Sequence, residues 1–252
     1  METSDKMALL NELKNHLNYL KDLGYTEVPC KTELLTRMQR KPNPLQFQLS
    51  SQNEMASKKN KSLTVVQEQL VDCTRCKLSE ERKTIVFGSG NPHADLVFVG
   101  EGPGAAEDEQ GLPFVGRAGK KLTEIIEKGM GLNREKETYI CNIVKCRPPG
   151  NRDPEPEEIS ACNPFLVKQI KAIKPKVIVA LGKPASSTLL GRNVPITKER
   201  GTWHEYEGFK LMLTFHPSYL IRFYTLENRK AVHEDMKKVL KELRKHTPPR
   251  KI

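Results

Sequence analysis

From residue 65 onward, short apolar runs alternate with longer stretches of helical periodicity. The runs fall at 96–99, 139–144, 177–181 and 211–215. They are β-rich and almost without polar interruption, which predicts strands buried on both faces. Helical spacing occupies 119–130, 155–173, 184–190 and 226–245. The last stretch puts Val232, Met236, Val239, Leu240 and Leu243 on one face and lysines on the other. Strand and helix in alternation predict an α/β fold, with a mostly parallel, four-stranded central sheet covered on both sides.

Before residue 65 the pattern is different. Leu10, Leu13, Leu17 and Leu20 recur at helical spacing, so residues 1–24 read as an amphipathic helix stopped by Gly24. Residues 25–62 lose all periodicity. Pro42, Pro44, a Ser-Ser-Gln-Asn run and a Lys-Lys-Asn-Lys run mark a linker expected to be partly disordered. Residues 63–252 then form the main domain.

In a parallel sheet, ligands bind beyond the carboxyl ends of the strands. Here those ends carry glycine or polar turns. Gly100-Glu-Gly-Pro-Gly104 follows the first strand. Asn142 closes the second and leads into Lys145-Cys-Arg-Pro-Pro-Gly-Asn-Arg152. Gly182-Lys-Pro184 follows the third, and His216-Pro-Ser218 the fourth. The first turn has neither the G-x-G-x-x-G spacing of a dinucleotide fold nor the Gly-Lys-Ser/Thr of a phosphate loop. Glu107, Asp108 and the stretch 111–119 follow it, with Phe114 in a loop between a proline and a glycine. A loop phenylalanine is either a packing plug or a platform on which a base stacks. His216 alone would read as a structural histidine. The stretch after it, with Tyr219, Leu220 and Arg222, mixes bulk with a cation, as a loop inserted into a nucleic-acid groove requires.

Charge points the same way. Lys and Arg number 42 against 31 Asp and Glu, a formal charge of +11. That excess suits a polyanion partner, although a merely basic surface would carry it too. No apolar run approaches the roughly 18 residues of a membrane span, and the N-terminus lacks a secretory signal's pattern. A cytoplasmic protein is the expectation.

Six cysteines in 252 residues do not make a disulfide scaffold. Cys73 and Cys76 form a C-x2-C pair, joined at a distance by Cys146 and Cys162. Zinc sites usually draw on two close pairs, whereas thiolates from a loop, a strand end and a helix can enclose something larger than one ion. An iron–sulfur cluster, a zinc ion and unligated cysteines are the three readings. Cys30 and Cys141 read as ordinary.

These stretches together carry a resemblance. Residues 64–244 resemble the family 4, iron–sulfur, uracil-DNA glycosylases through Gly100–Gly104, Gly111–Gly119, Asn142–Arg152, Ala180–Pro184 and His216–Tyr219. The resemblance implies a three-layer α/β/α sandwich stapled by a structural [4Fe–4S] cluster on Cys73, Cys76, Cys146 and Cys162. It implies a monofunctional glycosylase that flips out deoxyuridine, releases uracil and leaves an abasic site. Phe114 would stack on uracil and Asn142 would read its N3–H and O4 edge. His216 would donate to O2, with Gly100, Gly102, Glu101 and Glu107 lining the site. Family 1 enzymes carry an aspartate where Gly102 aligns. Asn151 or Glu101 is therefore the candidate for positioning water. Ala105 and Ala106 depart from the acidic residues of many relatives.

The rival readings are a uracil-DNA binding protein of the same fold with little turnover and a zinc-stapled nucleotide-binding module. Relatives that trap uracil-DNA covalently use a histidine in a basic insertion, and Gly119-Lys-Lys-Leu122 has no such insertion. The implied setting is a prokaryotic, nucleoid-associated monomer acting on double- or single-stranded uracil-DNA. The N-terminal helix either docks on the domain or recruits a replication or repair partner.

Overall fold

In the computed structural model the described residues are 62–245, together with the isolated helical positions Lys14, Asn18 and Lys21. The chain divides into two compact units, Met1–Gln52 and Asn53–Ile252. The readings of an N-terminal helix and a linker otherwise lie outside the described residues.

In chain order the elements are α1 (62–68), α2 (Leu78–Glu81), β1 (Ser89–Gly90), β2 (Leu96–Gly100), α3 (Ala105–Gln110) and α4 (Arg117–Glu124). There follow α5 (Arg134–Glu137), β3 (Thr138–Asn142), α6 (Pro156–Ile173), β4 (Val177–Leu181) and α7 (Gly182–Leu190). The chain continues through α8 (Ile196–Glu199), β5 (Trp203–Tyr206), β6 (Phe209–Thr214), α9 (Pro217–Arg222) and α10 (Leu226–Arg244). Helix α4 runs directly into a π-helical turn, Ile125–Gly129.

One six-stranded sheet has the order β1-β3-β2-β4-β6-β5. The four strands predicted from the apolar runs are its parallel centre. Both edges, absent from the prediction, are antiparallel. Neither announces itself by apolarity. β1 is two half-buried residues, and β5 alternates exposed with half-buried positions. An edge strand with one dry face at most has no reason to be an apolar run.

Side-chain alternation sorts each central strand into two cores. Val97, Val99, Cys141, Ile178, Ala180, Leu211 and Leu213 face one side, against Leu166, Ile170 and Ile173 of α6 and Ala185 and Leu189 of α7. Leu96, Phe98, Ile140, Val177, Val179 and Met212 face the other, against Leu122 of α4, Ile126, and Val232, Met236 and Val239 of α10. The result is a three-layer α/β/α sandwich.

Chain connectivity then places the site. The chain leaves β2 toward the α4 face, while β4 leads into α7 on the opposite face. β2 and β4 are neighbours, so a crevice opens between their carboxyl ends. The turn after β2 and the turn after β4 both line it.

Candidate active site

The crevice is a cavity of about 630 Å³. Glu101, Gly102, Glu107, Phe114, Asn142, Asn151, His216, Tyr219 and Arg222, all singled out in the sequence, line it. Gly100 stands behind the wall: a Cβ there would lie 2.4 Å from Asn142 Oδ1 and 2.6 Å from the Phe114 ring. Glycine at this strand end lets the amide and the ring meet over the sheet.

Phe114 is held by its loop as well as by its neighbours. Its φ of 53° is left-handed, an uncommon state for a bulky residue. The Glu107 carboxylate fixes the turn by accepting the Val115 and Gly116 N–H groups at 2.9 and 2.8 Å. A Cβ on Gly119 would strike the Phe114 carbonyl at 1.9 Å. Phe114 thus both packs into the core and presents its ring to the cavity. Glu107, expected to touch substrate, has one oxygen engaged with this loop.

His216 is the N-cap of α9, with Pro217 at the first helical position. Its Nδ1 accepts the Ser218 N–H at 3.2 Å and lies 2.7 Å from Ser218 Oγ. That pattern leaves Nδ1 an acceptor and puts the proton of the neutral ring on Nε2. Burial first, then the Arg222 charge, push its pKa down to about 4, against a smaller opposing pull from Glu107. At neutral pH His216 is an uncharged Nε2–H donor. Its ring centroid lies 5.7 Å from that of Phe114. A Cβ on Gly182, whose φ is 87°, would press on His216 Cβ at 2.8 Å.

Asn142 ends β3, pairing with Gly100 across the ladder. Its side chain is buried, and Oδ1 has no hydrogen-bond partner. Orphaned buried acceptors are costly, of order 1–3 kcal/mol, and mark a place where a donor is meant to arrive.

Glu101, next to Gly100, lines the same cavity. Burial, then the nearby charge of Asp153 and a hydrogen bond with it, raise its pKa to about 7. Asp153 also lines the cavity and escaped the sequence reading. An aspartate before proline at a helix start reads as capping, so its signal was ambiguous. Its neighbour Arg152 also lines the cavity and is held by a bidentate pair with the buried Glu158, which also closes the capping box of α6. Asn151 is exposed in a left-handed conformation, and its Oδ1 accepts from Arg147 Nε at 2.8 Å.

The expected insertion loop is corrected. Residues 217–222 form helix α9, and Leu220, 3% exposed, belongs to the core beside Val232 and Met236. The bulky groups that do reach solvent come just after it: Phe223 is 53% and Tyr224 61% exposed.

Away from this cavity, Cys73, Cys76, Cys146 and Cys162 line one chamber together with Arg75, Arg82 and Lys145. Arg75 donates to Cys73 Sγ at 3.1 Å and Arg82 to Cys146 Sγ at 3.4 Å. Burial pushes the Cys146 thiol up to about 11, against the pull of Arg82, and raises Cys76 and Cys162. Among the described residues no three Cys, His, Asp or Glu side chains converge as ligands of one metal ion. The four thiols share a chamber and do not form a closed coordination shell.

The uracil-DNA glycosylase superfamily model matches residues 87–244, which include the cavity and two of the four chamber thiols. The chain belongs to that superfamily. It is 51% identical over 178 residues to a type-4 uracil-DNA glycosylase of Thermotoga maritima, covering 70% of this chain and 92% of the relative. A type-4 enzyme of Sulfurisphaera tokodaii is 44% identical over 187 residues, covering 71% and 83%. A type-5 uracil-DNA glycosylase of Pyrobaculum aerophilum is 28% identical over 181 residues, covering 59% and 79%.

Proposed function

We propose that this chain is a monofunctional uracil-DNA glycosylase of the type-4 class, acting in DNA repair on uracil-containing DNA. The observation that carries the reading is the unpartnered Asn142 Oδ1 beside Phe114 and the Nε2–H face of His216. Uracil offers an N3–H donor between two carbonyl acceptors. Asn142 accepts from N3–H with Oδ1 and donates to O4 with Nδ2. Cytosine presents the reverse pattern on that edge, so the same amide rejects it. Phe114 stacks on the base. His216 donates to O2, where negative charge accumulates as the glycosidic bond breaks.

The sugar becomes oxocarbenium-like as uracil leaves. Glu101 and Asp153 face that side, and an ionised Glu101 stabilises the cation and holds the attacking water, with Asn151 beside it. His216 stays neutral, so it stabilises the leaving anion without placing a second cation next to the sugar.

Cys73, Cys76, Cys146 and Cys162 would hold a [4Fe–4S] cluster, whose contribution is a crosslink between α6 and the segments on either side of the cavity loop. Two guanidinium groups on the thiols suit an anionic occupant. Phosphates bind the basic surface around Lys183 and Arg222, and Phe223 acts as the apolar wedge of the segment that Tyr219, Leu220 and Arg222 were expected to form. We take the enzyme to be a cytoplasmic monomer. Among the described residues no helix is long and apolar enough to cross a membrane.

The test is incubation with a labelled duplex carrying one deoxyuridine, then alkali. Strand scission at that position, repeated over many turnovers, supports the glycosylase. Stoichiometric binding without scission supports the rival uracil-DNA binding protein.

A further inference from the structure

Lys145 is fully buried, with no exposed side-chain surface. Its Nζ donates to the backbone carbonyl of Asn142 at 2.7 Å. The carbonyl lies just past the end of the ladder, where the chain hooks back: Ile143 and Val144 donate to the Gly100 and Glu101 carbonyls at 2.9 and 3.1 Å. The other end of the Lys145 environment is the thiol chamber, which it lines beside Cys146 and Cys162. Burial raises the Cys162 thiol, and the Lys145 charge opposes it. Among the described residues no carboxylate forms an ion pair with it.

An ammonium in a dry interior is strongly disfavoured unless a counter-charge lies close. Of the thiols around it, Cys141 is an apolar core residue, so a cluster on the chamber cysteines is the source of negative charge, while the acceptor is the backbone of the uracil-reading residue. We propose that Lys145 is a positioning residue joining the two sites: the negative charge of a cluster on the four cysteines holds the ammonium in place, and the ammonium holds the Asn142 backbone, hence its amide, in register with the base. This rests on the reading of the cysteines as cluster ligands. It gives the cluster a part in uracil recognition exerted through one side chain, in addition to its part in holding the fold.

Lys145→Met keeps length and apolar packing while removing both charge and donor. Iron and sulfide per chain are measured first in wild type. With the cluster retained, Lys145→Met is expected to lower single-turnover uracil excision about tenfold or more, the scale at which partners supporting a site's contact residues act. Discrimination against cytosine should erode as well. The cluster's reduction potential should become more negative, because a neighbouring positive charge that favours the added electron is gone. Lys145→Gln, uncharged but still a donor, should shift the potential similarly and lose less excision. A merely space-filling lysine would move neither the potential nor the discrimination. A cluster-loaded Lys145→Met with wild-type potential and wild-type excision overturns the proposal, as does failure of both variants to retain iron. Wild-type protein without iron and sulfide overturns the cysteine reading itself, and the proposal with it.

Discussion

Gly100 and Asn142 face each other across the last rung of the β2–β3 ladder, so close that a Cβ on Gly100 would lie 2.4 Å from Asn142 Oδ1. The same Cβ would meet the Phe114 ring at 2.6 Å. One missing methyl therefore sets the spacing between the residue that reads the base and the ring that stacks on it. Gly100→Ala is expected to displace one or both. A misplacement near 1 Å can cost about 100-fold in rate. Single-turnover excision should fall by that order, with a lowered thermal midpoint from overpacking, about 1–3 kcal/mol, that leaves the protein folded at the assay temperature.

Glu101 gives the reaction a pH dependence with a definite sign. Its pKa is raised to about 7, first by burial and then by Asp153. If the ionised carboxylate is the active form, excision rises as pH passes through about 7. Asp153→Asn removes a neighbouring negative charge and should move the rising limb to lower pH. Glu101→Gln should abolish the limb and most of the rate. Stability runs the other way for this group. The folded state holds the proton more tightly, so its contribution falls as pH rises from about 4.5 to about 7. His216, lowered to about 4, should add no limb near 6.5. Rate profiles from pH 5 to 9 check the four statements about rate, and denaturation midpoints between about pH 4.5 and 7 the one about stability.

The thiol chamber should matter to folding before it matters to chemistry. Cys73 and Cys162 come from segments far apart in sequence, and a group bound by both contributes its binding energy to the fold. Cys73→Ser or Cys162→Ser should lose iron and lower the melting temperature. Soluble, iron-free protein with an unchanged melting temperature would contradict this.

Phe223 is exposed just beyond α9, its ring centroid 4.9 Å from that of Tyr219, which lines the cavity. A wedge replaces the stacking of an extruded base, and single-stranded DNA needs less of that help. Phe223→Ala should therefore slow excision from duplex more than from single strands. Equal slowing of both would remove it from that role. Binding to undamaged DNA should weaken steeply with salt, as phosphate contacts do.

How much of this could be read from the sequence followed from what each residue does physically. The four central strands were legible because strands buried on both faces must be apolar throughout. β1 and β5 were not, because edges half in water need no such run. His216 was found from its place after a strand, but its tautomer depends on Ser218, a contact no spacing reveals. The stretch after His216 was read as a loop, whereas a helix after His216-Pro217 turns Leu220 inward, which one-dimensional composition does not reveal. Asp153 was missed since its pairing with Glu101 joins segments fifty residues apart. Lys145 was read only as part of a turn. A lysine with no exposed side chain is among the least expected residues in a core.

The most direct test of the pocket is the single-turnover excision rate of Asn142→Asp and His216→Ala, measured beside their affinity for uracil-DNA. Asn142→Asp replaces the amide donor to O4 with an acceptor. Uracil release should fall by orders of magnitude, with a trace of cytosine release. His216→Ala removes the donor to the departing anion, a loss of about 2.7–4 kcal/mol in barrier, or roughly 100- to 1,000-fold in rate. Binding should weaken far less in both, because phosphates supply most of the affinity. Wild-type excision rates in both variants would contradict the pocket described here.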